Sequence, residues 1–136
     1  MNIQELSVGD WIKTTDKDFR GSRECTIQNI EKWRNGYVLV VKFKDGSIET
    51  LGSGCFEPIP LTPEILEKNG FVKNGAYTEW NIGEWDERPF IGVSLERQSL
   101  RVKHFGNDIF IEGKELFVHQ LQHALRLASV EKEIEL

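Results

Sequence analysis

His119 and His123 lie four apart in a stretch of helical period, a spacing that turns two imidazoles to one side of a helix, as metal ligands require. Zinc-hydrolase helices of this kind also carry a Glu directly after the first His as general base. Here that position is Gln120, which cannot accept a proton. No third ligand is placed by spacing, although folding could bring His104 or Glu112 near. The simpler expectation is a structural hydrogen bond from His119 at the helix start and a solvated His123, because a closed site needs more ligands than two. No metal or other cofactor is expected.

Two other clusters suit binding. Trp80 and Trp85 bracket an acidic loop with Glu84, Asp86, Glu87 and Arg88. Trp and Arg dominate interface hot spots, so Trp80, Trp85 and Arg88 are the candidate protein-binding set. The competing fate is that both indoles fold back over a sheet. An acidic loop suits a basic or amphipathic protein better than a nucleic acid. The second cluster is basic: Lys13, Lys17, Arg20, Arg23, Lys32 and Arg34, with Trp11 and Trp33 nearby. A nucleic-acid surface mixes these residue types, and Lys17, Arg20, Arg23 and Arg34 would carry it. Asp16, Asp18, Glu24 and Glu31 offset most of that charge, so a solvated mixed-sign face is the simpler account. There is no Gly-rich phosphate loop, no nucleophile elbow and no Cys–His pair in a catalytic context, so no enzymatic activity is expected.

Composition narrows the classes further. The 136 residues carry a net charge of −5. Residues 1–60 hold 8 Lys and Arg against 9 Asp and Glu, and residues 61–136 hold 9 against 13. An acidic chain gains little counterion-release attraction to a phosphate backbone. No long apolar run suggests membrane insertion or a leader, so a cytoplasmic setting is expected. Cys25 and Cys55 are too few for a disulfide scaffold and are expected to be reduced thiols.

These residues need elements to position them, and the dividing stretch is Pro58 to Phe71. Pro58 and Pro60 make a stiff extended strap. Thr62 fits a helix N-cap, Pro63 the first helical position, and Gly70 with Leu66 and Phe71 a Schellman stop, giving a helix over Pro63–Asn69. Before it, five short strands are expected: a first within residues 5–13, after a lead-in turn and with Trp11 turned inward, then Cys25 to Trp33, Tyr37 to Phe43, Ser47 to Leu51, and Phe56 to Ile59. Asn35-Gly36 is read as a type I′ turn and Asp45-Gly46 as a second hairpin turn. That order predicts an SH3-like barrel over 1–60. After it, Ala76–Trp80, Phe90–Leu95, Leu100–Phe105 and Ile109–Glu112 predict an antiparallel sheet. Phe117, Leu121, Ala124, Leu125 and Ala128 predict a helix to Ser129 lying across it. Lys132–Leu136 alternates as a last edge strand would. The fold class is α+β, with an α+β module over 61–136.

Glu57-Pro58-Ile59-Pro60-Leu61-Thr62-Pro63-Glu64 with Phe71, and Phe117-Val118-His119-Gln120-Leu121-Gln122, resemble a group of uncharacterised small proteins of gut bacteria and their phages or other mobile elements. The resemblance spans nearly the whole chain and implies a bacterial setting, but it transfers no site. The expected function is a non-enzymatic protein-interaction module using the Trp80–Arg88 loop or the barrel face. Nucleic-acid binding by the barrel is the alternative, and a metal-dependent enzyme comes third.

Overall fold

In the computed structural model, residues 3–15, 22–74, 79–83, 90–104, 107–113 and 115–136 are described. They fall into two compact units, Met1–Ile59 and Pro60–Leu136. Each holds a five-stranded antiparallel sheet, and the second adds two short helices, so the chain is α+β with strands predominant.

The first unit begins with a 3-10 turn, Ile3–Glu5, followed by β1 (Trp11–Thr14), β2 (Glu24–Trp33), β3 (Gly36–Phe43), β4 (Ile48–Leu51) and β5 (Phe56–Pro58). Strand order is β4-β3-β2-β1-β5: a meander whose last strand returns to β1. The register of β2 against β3 shifts between Ile27 and Asn29, a bulge that sharpens strand twist. Among the described residues β4 and β5 remain the two edges, so hydrogen bonding does not close the expected barrel.

Asp10 decides which residues enter the core. It is fully buried, and its carboxylate accepts the Ser7 N–H at 2.8 Å. The Gly9 N–H donates to the Ile27 carbonyl at 2.7 Å, and the Ile27 N–H to the Asp10 carbonyl at 3.0 Å. This turn starts β1 with Asp10, Ile12 and Thr14 all inward. Trp11 therefore faces the other way, contrary to the sequence expectation; it is half-buried, with the Lys44 ammonium 5.9 Å from its ring centre. Ile12, Cys25, Ile27, Leu39, Val41, Phe43 and Leu51 form the core. Burial there pushes the Cys25 thiol up to about 12, against a small opposing pull from Arg23. Cys25 and the partly buried Cys55 are both free thiols.

The hairpins differ in detail from expectation. Trp33 pairs with Gly36, so Arg34 and Asn35 are the turn residues, and neither has positive φ. Gly36 absorbs the strain instead at φ +146°, and the turn is not type I′. In the next hairpin Gly46 N–H donates to the Phe43 carbonyl and Phe43 N–H to the Ser47 carbonyl. With Gly46 at φ +89°, that is a three-residue loop with a glycine bulge. The Ser47 hydroxyl and N–H both donate to Asp45, which holds that carboxyl below its ordinary range.

The second unit opens on α1 (Pro63–Lys68). Thr62 Oγ1 accepts the Ile65 N–H at 3.3 Å, and Pro63 stands where no donor is needed. At the other end the Phe71 N–H reaches the Leu66 carbonyl and the Gly70 N–H the Glu67 carbonyl, with Gly70 at φ +84°. Those two bonds are the Schellman stop expected from sequence. Next come β6 (Val72–Asn74), β7 (Glu79–Ile82), β8 (Phe90–Ser94), β9 (Ser99–His104) and β10 (Asn107–Glu112), ordered β10-β9-β8-β7-β6. Then α2 (Val118–Leu127) packs against β9, burying Val118, Leu121, Ala124 and Leu125 over Ile91, Val93, Leu100 and Val102. The Leu61 N–H bonds the Leu116 carbonyl at 3.0 Å, and Pro60 bridges Phe117, so the strap runs beside the start of α2.

The tail is not the edge strand that its alternation predicts. Residues 130–136 are irregular, and Ile134 is buried. Their backbone is held by a side chain: buried Asn69 donates to the Glu135 carbonyl at 2.7 Å and accepts the Glu135 N–H at 2.8 Å. One carboxamide thus does what a neighbouring strand would do.

α2 ends on a second Schellman stop, but with Ser129 rather than glycine at φ +58°. Val130 N–H donates to the Leu125 carbonyl at 2.9 Å and Ser129 N–H to the Arg126 carbonyl at 3.0 Å. A side chain in left-handed geometry costs about 1–2 kcal/mol relative to glycine. Ser129→Gly is therefore expected to stabilise the second unit by about 1 kcal/mol in a denaturant titration. A loss of stability would show that this turn relies on the serine hydroxyl.

Candidate functional site

The second sheet has two unlike faces. One is the apolar face under α2. On the other, the pairing register lines up Val72, Asn81, Gly92, Arg101 and Phe110 in one row across all five strands. Beside that row lie Asn74 paired with Glu79, and Ser94 paired with Ser99. These residues other than Val72, with Gly83, Phe90 and Arg97, line a cleft of about 750 Å³. A volume of that order suits a small ligand or a protruding side chain.

The floor is polar yet withdrawn from solvent. Ser94 and Ser99 are 8% and 6% exposed. Phe90 is buried, whereas Phe110 at the β10 edge is open. Across the floor Arg101 Nη2 donates to both oxygens of Glu79 at 3.1 Å. Asn81, with its amide nitrogen toward the same carboxylate, donates to Glu79 Oε1 at 2.7 Å.

Gly92 lies directly beneath this pair. It stands between β7 and β9, opposite both Asn81 and Arg101. A Cβ added there would sit 2.5 Å from Glu79 Oε1 and 2.8 Å from its carboxyl carbon. The missing side chain is thus the space through which the carboxylate crosses β8 to reach the guanidinium. Glycine normally weakens a strand interior, and a close approach of this kind is what keeps it there.

The residues singled out from sequence are distributed differently. Trp80 lies within β7, directly opposite Val93; strand alternation sends it away from Glu79 and Asn81, and it is half-buried. Trp85 and Arg88 lie outside the described residues, between the cleft-lining Gly83 and Phe90. Lys17 and Arg20 also lie outside them. Arg23 stacks 4.0 Å above the Phe43 ring and pairs with Asp45 at 3.4 Å. Lys13 pairs with Glu57 and Lys44 with Glu24, so three of the basic residues described in this unit stand in ion pairs. Arg34 is exposed in the β2–β3 turn.

His119 is buried and His123 half-buried. The His119 ring stacks on Phe117 at 5.8 Å and 9°, and meets His123 edge-on at 5.8 Å. Gln122 is also buried. Among the described residues no group of three or more His, Cys, Asp or Glu is arranged to hold a metal ion. Also among them, no helix is long and apolar enough to cross a membrane.

Compared with protein-family models, with curated proteins and with solved structures, the chain gives no match to any of the three. The cleft residues Glu79, Gly92 and Arg101 were not among the candidates read from sequence. Their one local signal is the lone glycine inside Phe90-Ile91-Gly92-Val93-Ser94.

A double-mutant cycle tests the packing at Gly92. In the native background Gly92→Ala displaces Glu79 and is expected to cost about 1–2 kcal/mol in denaturant unfolding. In a Glu79→Ala background the same change is expected to be neutral or slightly stabilising, since Ala suits a strand better than Gly. Equal costs in both backgrounds would show that Gly92 serves something other than this pair.

Proposed function

We propose that the protein is a non-enzymatic protein-interaction module of a bacterial mobile element or phage, and that its partner seats on the cleft face of the second sheet. One observation carries this reading. A sheet face that is polar, recessed and crossed by a preset ion pair has been shaped for a purpose beyond packing, because a solvated sheet face needs no glycine to accommodate its charges. Trp85 and Arg88, expected from sequence to contact a partner, remain part of this proposal on the sequence alone. Glu79 is engaged in holding Arg101, a positioning task, and this favours binding over catalysis.

The net charge of −5 and the engagement of Arg23 by Asp45 weigh against the nucleic-acid alternative, since a paired Arg gains less from phosphate contacts. For that unit we keep the SH3-like reading as part of the proposal. The order β4-β3-β2-β1-β5 and the bulged β2 support it, although fold alone carries no function. The bacterial setting rests on the two sequence signatures alone, and the cytoplasmic one on sequence expectation.

The test is a pull-down from bacterial lysate with the full chain as bait. A specific partner is expected to be lost with Ser99→Arg, which fills the cleft, and weakened with Phe110→Ala, a change at an exposed position. Trp85→Ala should weaken it as well. Trp33→Ala, on the first unit and 61% exposed, should leave capture unchanged. The reverse pattern would move the interface to the first unit.

A further inference from the structure

We infer that the cleft is a carboxylate-recognition site that takes an Asp or Glu side chain of the protein partner against Arg97 and Arg101, over the Ser94 and Ser99 hydroxyls. This rests on the cleft being the partner-binding face.

Charge balance points to the ligand. The charged side chains lining the cleft among the described residues are Glu79, Arg97 and Arg101, an excess of one positive charge. The chain as a whole carries −5, so this patch runs against its surroundings. A Lys or Arg from a partner would meet two guanidinium groups, whereas a carboxylate meets complementary charge. The excess is a single charge. A monoanion balances it, but a phosphate near −2 would leave uncompensated negative charge beside Glu79.

The donors are also held in position. Glu79 fixes the Arg101 guanidinium, so less side-chain freedom is lost when a ligand arrives. The Arg97 N–H donates to Ser94 Oγ at 3.2 Å, which ties the β8–β9 turn to the cleft floor. A serine hydroxyl that accepts in this way still has its proton to donate. Phe90 and Phe110 supply apolar surface for the methylenes of an acidic side chain.

The experiment is a two-dimensional NMR titration of the full chain with N-acetyl-glutamate α-amide, which carries one carboxylate. The neutral N-acetyl-glutamine α-amide and inorganic phosphate form separate arms. The acid is expected to shift the amides of Ser94, Arg97, Ser99 and Arg101. Binding should be about tenfold weaker for the neutral analogue and for the acid with Arg97→Ala, a solvent-exposed change that leaves the fold intact. Arg97→Lys should recover most of the lost affinity. Equal binding of acid and neutral probes, phosphate binding as tight as the acid, shifts elsewhere, or no shift at all would each overturn the inference.

The two readings fail separately. If a partner needs the cleft but the acid probe neither binds nor competes, the carboxylate site is lost and the interaction face survives. If the probe binds while no partner depends on the cleft, the reverse holds.

Discussion

The contact between Glu79 and Arg101 across Gly92 is the constraint on which the account of this protein depends. In the observed geometry the Glu79 carboxylate lies where a Cβ at position 92 would stand, so any other residue there would make the carboxylate shift. Both ions are partly withdrawn from water, with the Glu79 side chain 17% exposed and Arg101 35%. Pairs in this regime gain from reduced screening but carry a desolvation cost. Asn81 offsets part of that cost by adding a donor to the carboxylate. The result is a rigid polar strip on a sheet face that would otherwise be smooth.

The rest of the second unit holds that strip still. Its reverse side is packed by α2 against β9, and β8 beside it is buried along its length, so the strand of Arg101 is held from behind and that of Gly92 through its pairing with β9. The start of α2 is fixed in turn: Gln120 Oε1 accepts the Phe117 N–H at 2.9 Å, and the strap residue Leu61 bonds Leu116. Gln98, at φ +51° in the β8–β9 turn, accepts the Leu116 N–H at 2.6 Å through its side chain. A single turn residue thus links the sheet to the approach to α2. Asn69 completes the arrangement by tying the tail to α1.

What could be read from sequence follows the range of the interactions involved. The α1 cap and stop were legible because Thr62, Pro63, Gly70 and Phe71 act on backbone groups within a few residues of themselves. The equivalent stop after α2 was not, since Ser129 gives no glycine signal. Trp11 was placed inward because alternation has a period but no phase. The phase comes from Asp10 through its bonds to Ser7 and the distant Ile27. The tail alternated like a strand, yet its pairing partner is a side chain. For the site, Gly92 was visible as an interruption, but its reason required the register of three strands. The stronger sequence signals were the aromatic and basic residues, and most of the described ones serve packing or exposed ion pairs.

Arginine side-chain NMR offers the most direct measurement of the central claim. If Glu79 holds Arg101 across Gly92, the Arg101 guanidinium should show slow rotation about Nε–Cζ and resolved Nη signals, unlike the exposed arginines. That signature should collapse in Glu79→Gln. An Arg101 that averages as fast as Arg34 in the native protein would contradict the account.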